Sequence, residues 1–210
     1  MATEGATDLR FASLVLAAGA GSRFGGGKLL ARYAGAPLLH GALAAARAAV
    51  AATRAPPGES ITVVTGADAA AVSACVQAFD PTIRLVHAAD HAEGMSASLR
   101  AGVASLAPEV EAVFVFLGDM PRVPHMVLAP LAEAVAAGAA AAAPVFDRRR
   151  GNPVVLSREL FAQVAALTGD VGARPILESL GDRLARVISP DDGVLFDVDE
   201  RGDLRPQVRP

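Results

Sequence analysis

The chain has 210 residues, a formal net charge of -3, one cysteine and no tryptophan. Such a length supports one large α/β domain with a full core. The mildly acidic balance, with an isoelectric point of about 5.8, excludes a broad basic face for nucleic acid, and eight Phe with one Tyr leave few stacking platforms for single strands. An unpaired Cys75 gives no internal disulfide framework and fits a reducing compartment, read as the cytoplasm. Residues 1–10 are polar, carry Glu4 and Asp8, and read as a flexible N-terminal segment rather than a signal peptide. Apolar runs are broken by Gly, Arg or Pro before they reach about 18 residues, so no membrane span is expected.

The elements alternate along residues 11–210, read as one domain. Phe11–Ala17 is a predicted buried strand and Pro37–Ala52 a helix. Ser60–Thr65 is strand, Ala67–Phe79 helix, Thr82–His87 strand and Met95–Leu106 helix. Ala112–Leu117 is the strongest strand, an unbroken apolar run. Pro124–Ala137 follows as helix, then Ala140–Phe146 and Asn152–Leu156 as strands, Ser157–Ala166 and Arg174–Leu180 as helices, and Leu184–Ile188 and Val194–Val198 as closing strands. Apolar strands alternating with helices predict a Rossmann-like α/β domain, with a mostly parallel sheet covered by helices on both faces. Ligands bind such sheets outside the carboxyl ends of the strands, and the informative motifs follow strands.

The first is Leu16-Ala17-Ala18-Gly19-Ala20-Gly21-Ser22-Arg23-Phe24-Gly25-Gly26-Gly27-Lys28. Glycines let backbone N–H groups approach an anion, and Arg23 and Lys28 add two full charges. Lys28 is the single lysine among 19 Lys and Arg residues. A dinucleotide fingerprint fails because Phe24 holds the third glycine's place, and a P-loop fails because Ser22 and Leu29 occupy two of its fixed positions. A turn without a ligand needs neither cation. The second motif, Phe114-Val115-Phe116-Leu117-Gly118-Asp119-Met120-Pro121, ends a strand on an acid placed either to hold a divalent cation or to cap a turn. Such an ion takes one or two carboxylates plus phosphate oxygens. The late stretch Asp197-Val198-Asp199-Glu200-Arg201-Gly202-Asp203 offers a second acid. Strand alternation puts Asp197 and Asp199 on one side, so periodicity leaves both open.

These residues resemble the MobA/MocA-like family of sugar-nucleotide and cofactor nucleotidyltransferases, whose fold is the nucleotide-diphospho-sugar transferase type. By that resemblance Leu16, Ala17, Ala18, Gly19, Gly21, Arg23 and Lys28 wrap the phosphates of an NTP. Phe24 stands where the family often has Met. The resemblance makes Asp119 a Mg2+ ligand, favours Asp199 over Asp197 as the second, and puts Gly66, Gly94 and Ser98 beside the nucleoside. Ser96 or Ser98 serves equally well as a helix cap.

Arg148-Arg149-Arg150-Gly151-Asn152-Pro153-Val154 and Leu167-Thr168-Gly169-Asp170-Val171-Gly172-Ala173-Arg174 are similar to the molybdenum cofactor cytidylyltransferase branch, which joins CMP to a molybdopterin phosphate. The resemblance implies acceptor-binding roles for Asn152, Asp170 and Arg174. Asn152 stands where the branch often has His. The Arg triplet either meets an anionic acceptor or forms a solvated loop. Leu-Ala-Ala-Gly resembles the cytidine-using members, so CTP is the expected nucleotide, and a molybdoenzyme or chaperone the expected protein partner. The implied reaction is in-line attack of the acceptor phosphate on the α-phosphorus, with Arg23, Lys28 and Asp119 carrying catalysis. Open alternatives are GTP, a methylerythritol-phosphate or sugar-phosphate acceptor, and a non-catalytic nucleotide sensor. Cys75 sits in an apolar helical stretch and reads as core, and the four histidines lack zinc spacing.

Overall fold

The structure, a computed structural model, describes residues 9–53 and 60–204. Of the expected flexible segment 1–10, residues 1–8 lie outside the described residues. Elements in chain order are β1 (Phe11–Ala17), the two-residue hairpin β2 (Arg32–Tyr33) and β3 (Ala36–Pro37), α1 (Leu39–Ala52), β4 (Ile61–Thr65), α2 (Ala69–Phe79), β5 (Arg84–His87), α3 (Met95–Ala104), β6 (Ala112–Leu117), α4 (Leu128–Ala136), β7 (Ala141–Phe146), β8 (Arg149–Arg150), β9 (Val154–Ser157), α5 (Phe161–Ala165), α6 (Arg174–Ser179) and β10 (Leu184–Ile188).

The main sheet runs β10-β7-β9-β6-β1-β4-β5, with β8 paired to β7. β1 is parallel to both β4 and β6, and β4 to β5. β9 runs antiparallel between β6 and β7. The chain is therefore a single α/β domain with a mostly parallel, mixed sheet. Alternate residues of each central strand feed opposite cores. Val15, Phe114 and Phe116 pack with α1, α2 and α4 through Leu39, Leu43, Val72 and Leu131. Leu14, Leu16 and Val115 pack with α3, α5 and α6 through Leu99, Val164 and Ile176. Burial on both faces is why these strands read as unbroken apolar runs. Strand order reverses at β1, whose neighbours β4 and β6 lie on opposite sides, so the carboxyl ends of β1 and β6 form the crevice where such sheets take ligands.

One expected strand is absent. Val194–Val198 is not in the sheet: Asp192–Leu195 forms a 3-10 turn, and residues 196–199 have no ladder partner among the described residues. The backbone hydrogen bonds go elsewhere. The Asp191 side chain accepts from the Gly193 N–H at 2.7 Å, and the Val198 N–H donates to the Asp119 carbonyl at 3.1 Å. The side-chain alternation argument for Asp197 and Asp199 therefore does not apply. The Arg triplet is also more ordered than a solvated loop: β7 and β8 pair across a two-residue turn, Asp147 and Arg148, with φ of 45° and 61°, the left-handed geometry of tight hairpins.

The helix α1 meets the segment after β6 at Gly41, where a Cβ would stand 2.5 Å from the Pro121 Cα. In an exposed helix interior Gly41→Ala would gain about 1 kcal/mol from propensity. Here overpacking against backbone dominates, and a net loss of about 1–3 kcal/mol is expected in urea unfolding; a stabilised variant would contradict this contact.

Candidate active site

The loop after β1 is a series of tight turns. Gly21, Gly25, Gly26 and Gly27 have φ of 57°, 87°, 88° and 62°. The Gly21 carbonyl accepts from the N–H groups of Phe24, Gly25 and Gly26 at 3.0, 3.1 and 3.2 Å. Phe24 is 3% exposed and pins the loop to Leu38 and Val198, with the Arg201 guanidinium 4.8 Å from its ring centre. By contrast, the N–H groups of Gly19 to Arg23 donate to nothing among the described residues. Five consecutive free amides on one strand-end loop are the donor set an anion requires.

Opposite them, Lys28 Nζ donates to Asp119 Oδ2 at 2.7 Å and stands 3.6 Å from Asp199 Oδ1. Arg23 Nη1 reaches Asp199 Oδ2 at 3.4 Å. The two ion pairs differ in strength. Lys28 and Asp119 are 14% and 24% exposed, so their contact is shielded from water. Arg23 and Asp199 are 80% and 49% exposed, a class worth about 0–1 kcal/mol, which leaves Arg23 free to turn toward a ligand. Distant Asp199 arrives through two features: the Val198–Asp119 backbone bond, and Asp203, whose Oδ2 accepts from the N–H groups of Asp199 and Glu200 at 2.9 and 2.8 Å. Asp203 therefore shapes the turn that presents Asp199.

Asp197, the alternative second acid, makes no ion pair with Lys28 among the described residues. Partial burial pushes its carboxyl up from the ordinary value of 3.8, and the Asp199 and Asp119 carboxylates push it the same way, while Lys28 opposes them. Three carboxylates thus converge around one ammonium. Among the described residues no cluster of three His, Cys, Asp or Glu has the geometry to hold a metal by itself. Two carboxylates facing one cation do fit a hard divalent ion that completes its shell with phosphate oxygens and water.

A cleft of about 540 Å³ opens between these lips and is lined by Leu16, Ala18, Gly19, Gly94, Ser98 and Asp119, among others. Gly21, Arg23, Lys28 and Asp199 line an adjoining space of about 230 Å³. Ala17 and Gly66 lie behind this wall. Ala17 is 3% exposed within the core, and a Cβ on Gly66 would stand 2.5 Å from the Ala18 carbonyl. A second cavity of about 190 Å³ holds Arg150, Asn152, Asp170 and Arg174, and shares Leu16, Met95, Leu117 and Asp170 with the cleft. The triplet divides: Arg148 forms the turn, Arg149 is exposed, and only half-buried Arg150 enters this cavity.

Sequence reasoning missed Ser22 and His91 as cleft residues; both lie on segments just after strands, which was the available signal. Neither Ser96 nor Ser98 caps α3. Cys75 is half-buried with its Sγ 3.4 Å from His40 Nε2, and burial pushes its thiol up, away from thiolate chemistry.

A switch-point cleft with free amides on one lip and a carboxylate–ammonium pair on the other is the architecture of a nucleotidyltransferase built on the nucleotide-diphospho-sugar transferase fold. The chain belongs to the MobA-like NTP transferase domain family, whose profile matches residues 13–185. Among solved structures, a homologue of Rv0371c from Mycobacterium sp. strain JC1 is 31% identical, covering 93% of this chain and 94% of that one with a TM-score of 0.78. Rv0371c from Mycobacterium tuberculosis is 27% identical over 93% and 95% of the two chains, with a TM-score of 0.77, and has also been solved as a manganese complex. A nucleotidyl transferase from Methanothermobacter is 25% identical over 92% and 94%, with a TM-score of 0.72. No curated protein matches the chain. Among the described residues no helix is long and apolar enough to cross a membrane.

A raised folded pKa means that Asp197 favours folding only while protonated, and that contribution is lost as pH rises through its folded value. In metal-free buffer Asp197→Asn is expected to melt higher than wild type at pH 7, with the gap closing as pH falls to 3.8 and below. Equal melting temperatures at pH 7 would contradict a carboxyl raised by burial and by its acidic neighbours.

Proposed function

We propose that this chain transfers CMP from CTP to a phosphorylated acceptor, molybdopterin, and releases pyrophosphate. The observation that carries the reading is the Lys28 ammonium set between Asp119 and Asp199 at 2.7 and 3.6 Å, on the rim of the amide-lined cleft. Asp119 and Asp199 would hold a divalent ion, Mg2+ in this proposal, which when bound supplies charge neutralisation for the triphosphate.

The chain's own groups do the rest. The free amides of Gly19 to Arg23 donate to phosphate oxygens, and Lys28 and Arg23 neutralise charge on the leaving group. An acceptor phosphate oxygen forms a bond to the α-phosphorus as the bond from that phosphorus to its bridging oxygen breaks, and pyrophosphate departs with the electron pair. A phosphomonoester is already anionic at neutral pH, so no general base is needed and catalysis is positioning and charge stabilisation. Leu16, Ala18, Gly94 and Ser98 face the nucleoside. Arg150, Asn152 and Arg174 offer donors to an anionic acceptor in the adjoining cavity. We place this chemistry in the cytoplasm, where the unpaired Cys75 is at home, with a molybdoenzyme or its chaperone as the receiving partner.

With CTP, GTP, UTP and ATP each tested beside Mg2+, CTP is expected to give the largest rise in melting temperature, since ligand at 100 times its Kd stabilises by about 2.7 kcal/mol. A larger shift with GTP would reverse the base assignment. Asp119→Ala is expected to retain its fold and lose pyrophosphate release by about 10²–10³-fold or more; near-normal release would remove Asp119 from the mechanism.

A further inference from the structure

The partition between the nucleotide cleft and the acceptor cavity joins pieces far apart in sequence. Residues 167–170 lie along the first turns of α3 and are bonded to it one after another. Arg100 Nη1 donates to the Leu167 carbonyl at 2.6 Å, and Ser96 Oγ to the Thr168 carbonyl at 3.2 Å. The Ser96 N–H donates to the Gly169 carbonyl at 3.2 Å. Asp170 Oδ1 accepts from the Met95 N–H at 2.8 Å.

The last of these bonds is the informative one. The first N–H groups of a helix have no partner within it. Gly94, at the helix entry, has no side chain to supply one, and its φ is 111°. A Cβ there would stand 2.7 Å from the Asp170 Cα, so glycine is what lets the strap lie this close. The cap comes from 75 residues away, as a carboxylate, the acceptor that suits the positive end of a helix. Gly94, Met95 and Ser98 line the nucleotide cleft. Asp170 itself lines the cleft, the acceptor cavity and the space that holds Arg23, Lys28 and Asp199. A carboxylate on the wall of a phosphate site repels a triphosphate, so its value there lies in the Met95 bond.

Resting on the nucleotidyltransferase reading, we infer that Asp170 is a positioning residue for the nucleotide: acting through the Met95 N–H, it holds the Gly94–Met95 turn in place as the nucleoside wall and fastens that wall to the acceptor-side strap. What counts is the accepting oxygen, and an amide oxygen serves in its place. Calorimetric titration of the full chain with CTP and Mg2+ tests this. Asp170→Ala is expected to weaken binding about tenfold, the scale of one lost hydrogen bond to a charged group, whereas Asp170→Asn stays within about threefold of wild type.

Equal weakening by both variants, tighter binding by both, or unchanged binding by Asp170→Ala overturns the inference. Each variant's ligand-free melting temperature is read alongside. If Asp170→Ala does not fold, Ser96→Ala, which removes only the neighbouring Thr168 bond, carries the test with an expected loss of about threefold; wild-type affinity there overturns the inference. Failure of wild type to bind any of the four NTPs overturns the nucleotidyltransferase reading and this inference with it. Normal wild-type binding with an indifferent Asp170→Ala overturns this inference alone.

Discussion

The Lys28 ammonium lies between two carboxylates that the sequence keeps far from it, 91 positions away in the case of Asp119. Three segments depend on that meeting: the glycine loop after β1, the end of β6, and the chain beyond Val194. The Lys28–Asp119 contact is sheltered and short, while the Arg23–Asp199 contact is exposed and loose. The first therefore fixes the shape of the cleft and the second leaves it adjustable. Backbone bonding supports the same meeting point, through Val198 N–H on the Asp119 carbonyl. Without a cation there, Asp119, Asp197 and Asp199 would face one another across the rim; the Asp197 carboxyl is already pushed up, first by burial and then by its two acidic neighbours.

The proposed seat of a nucleotide at this rim rests on fold geometry and local chemistry together. The parallel sheet brings β1 and β6 side by side, so loop and acid emerge at one crevice. The tight turns of the loop consume the N–H groups of Phe24, Gly25 and Gly26 internally, while those of Gly19 to Arg23 have no partner among the described residues. Family membership and the Rv0371c-type neighbours agree with that reading of the fold. Beyond Met95, the cavity that holds Arg150, Asn152 and Arg174 beside the Asp170 carboxylate is richer in cations than the aspartate rim, and the proposed function puts the acceptor there and the metal at the rim.

Much of this was legible in the sequence because it is local. Buried parallel strands announce themselves as apolar runs, and β1, β4 and β6 fall within a residue of their expected bounds. A Gly-rich loop holding the lone lysine, and an acid at a strand end, are local signals too. What stayed hidden is tertiary. Val194–Val198 has the apolar pattern of a strand, yet its backbone bonds go to Asn152, Gly193 and Asp119, so the strand alternation that put Asp197 and Asp199 on one side does not operate. β9 is antiparallel, and neither pattern nor propensity marks direction. The cap of α3 lies in another part of the chain, so nearby Ser96 and Ser98 looked like caps and were not. Arg150 differs from Arg148 and Arg149 only through the hairpin that turns it inward.

The most direct measurement is anomalous scattering at the manganese edge from crystals grown with CTP and Mn2+. A single strong peak bonded to oxygens of Asp119 and Asp199, beside a triphosphate lying along Gly19 to Arg23 with Lys28 on its phosphates, is the expected result. A metal remote from both aspartates, or a triphosphate seated away from that loop, would contradict it.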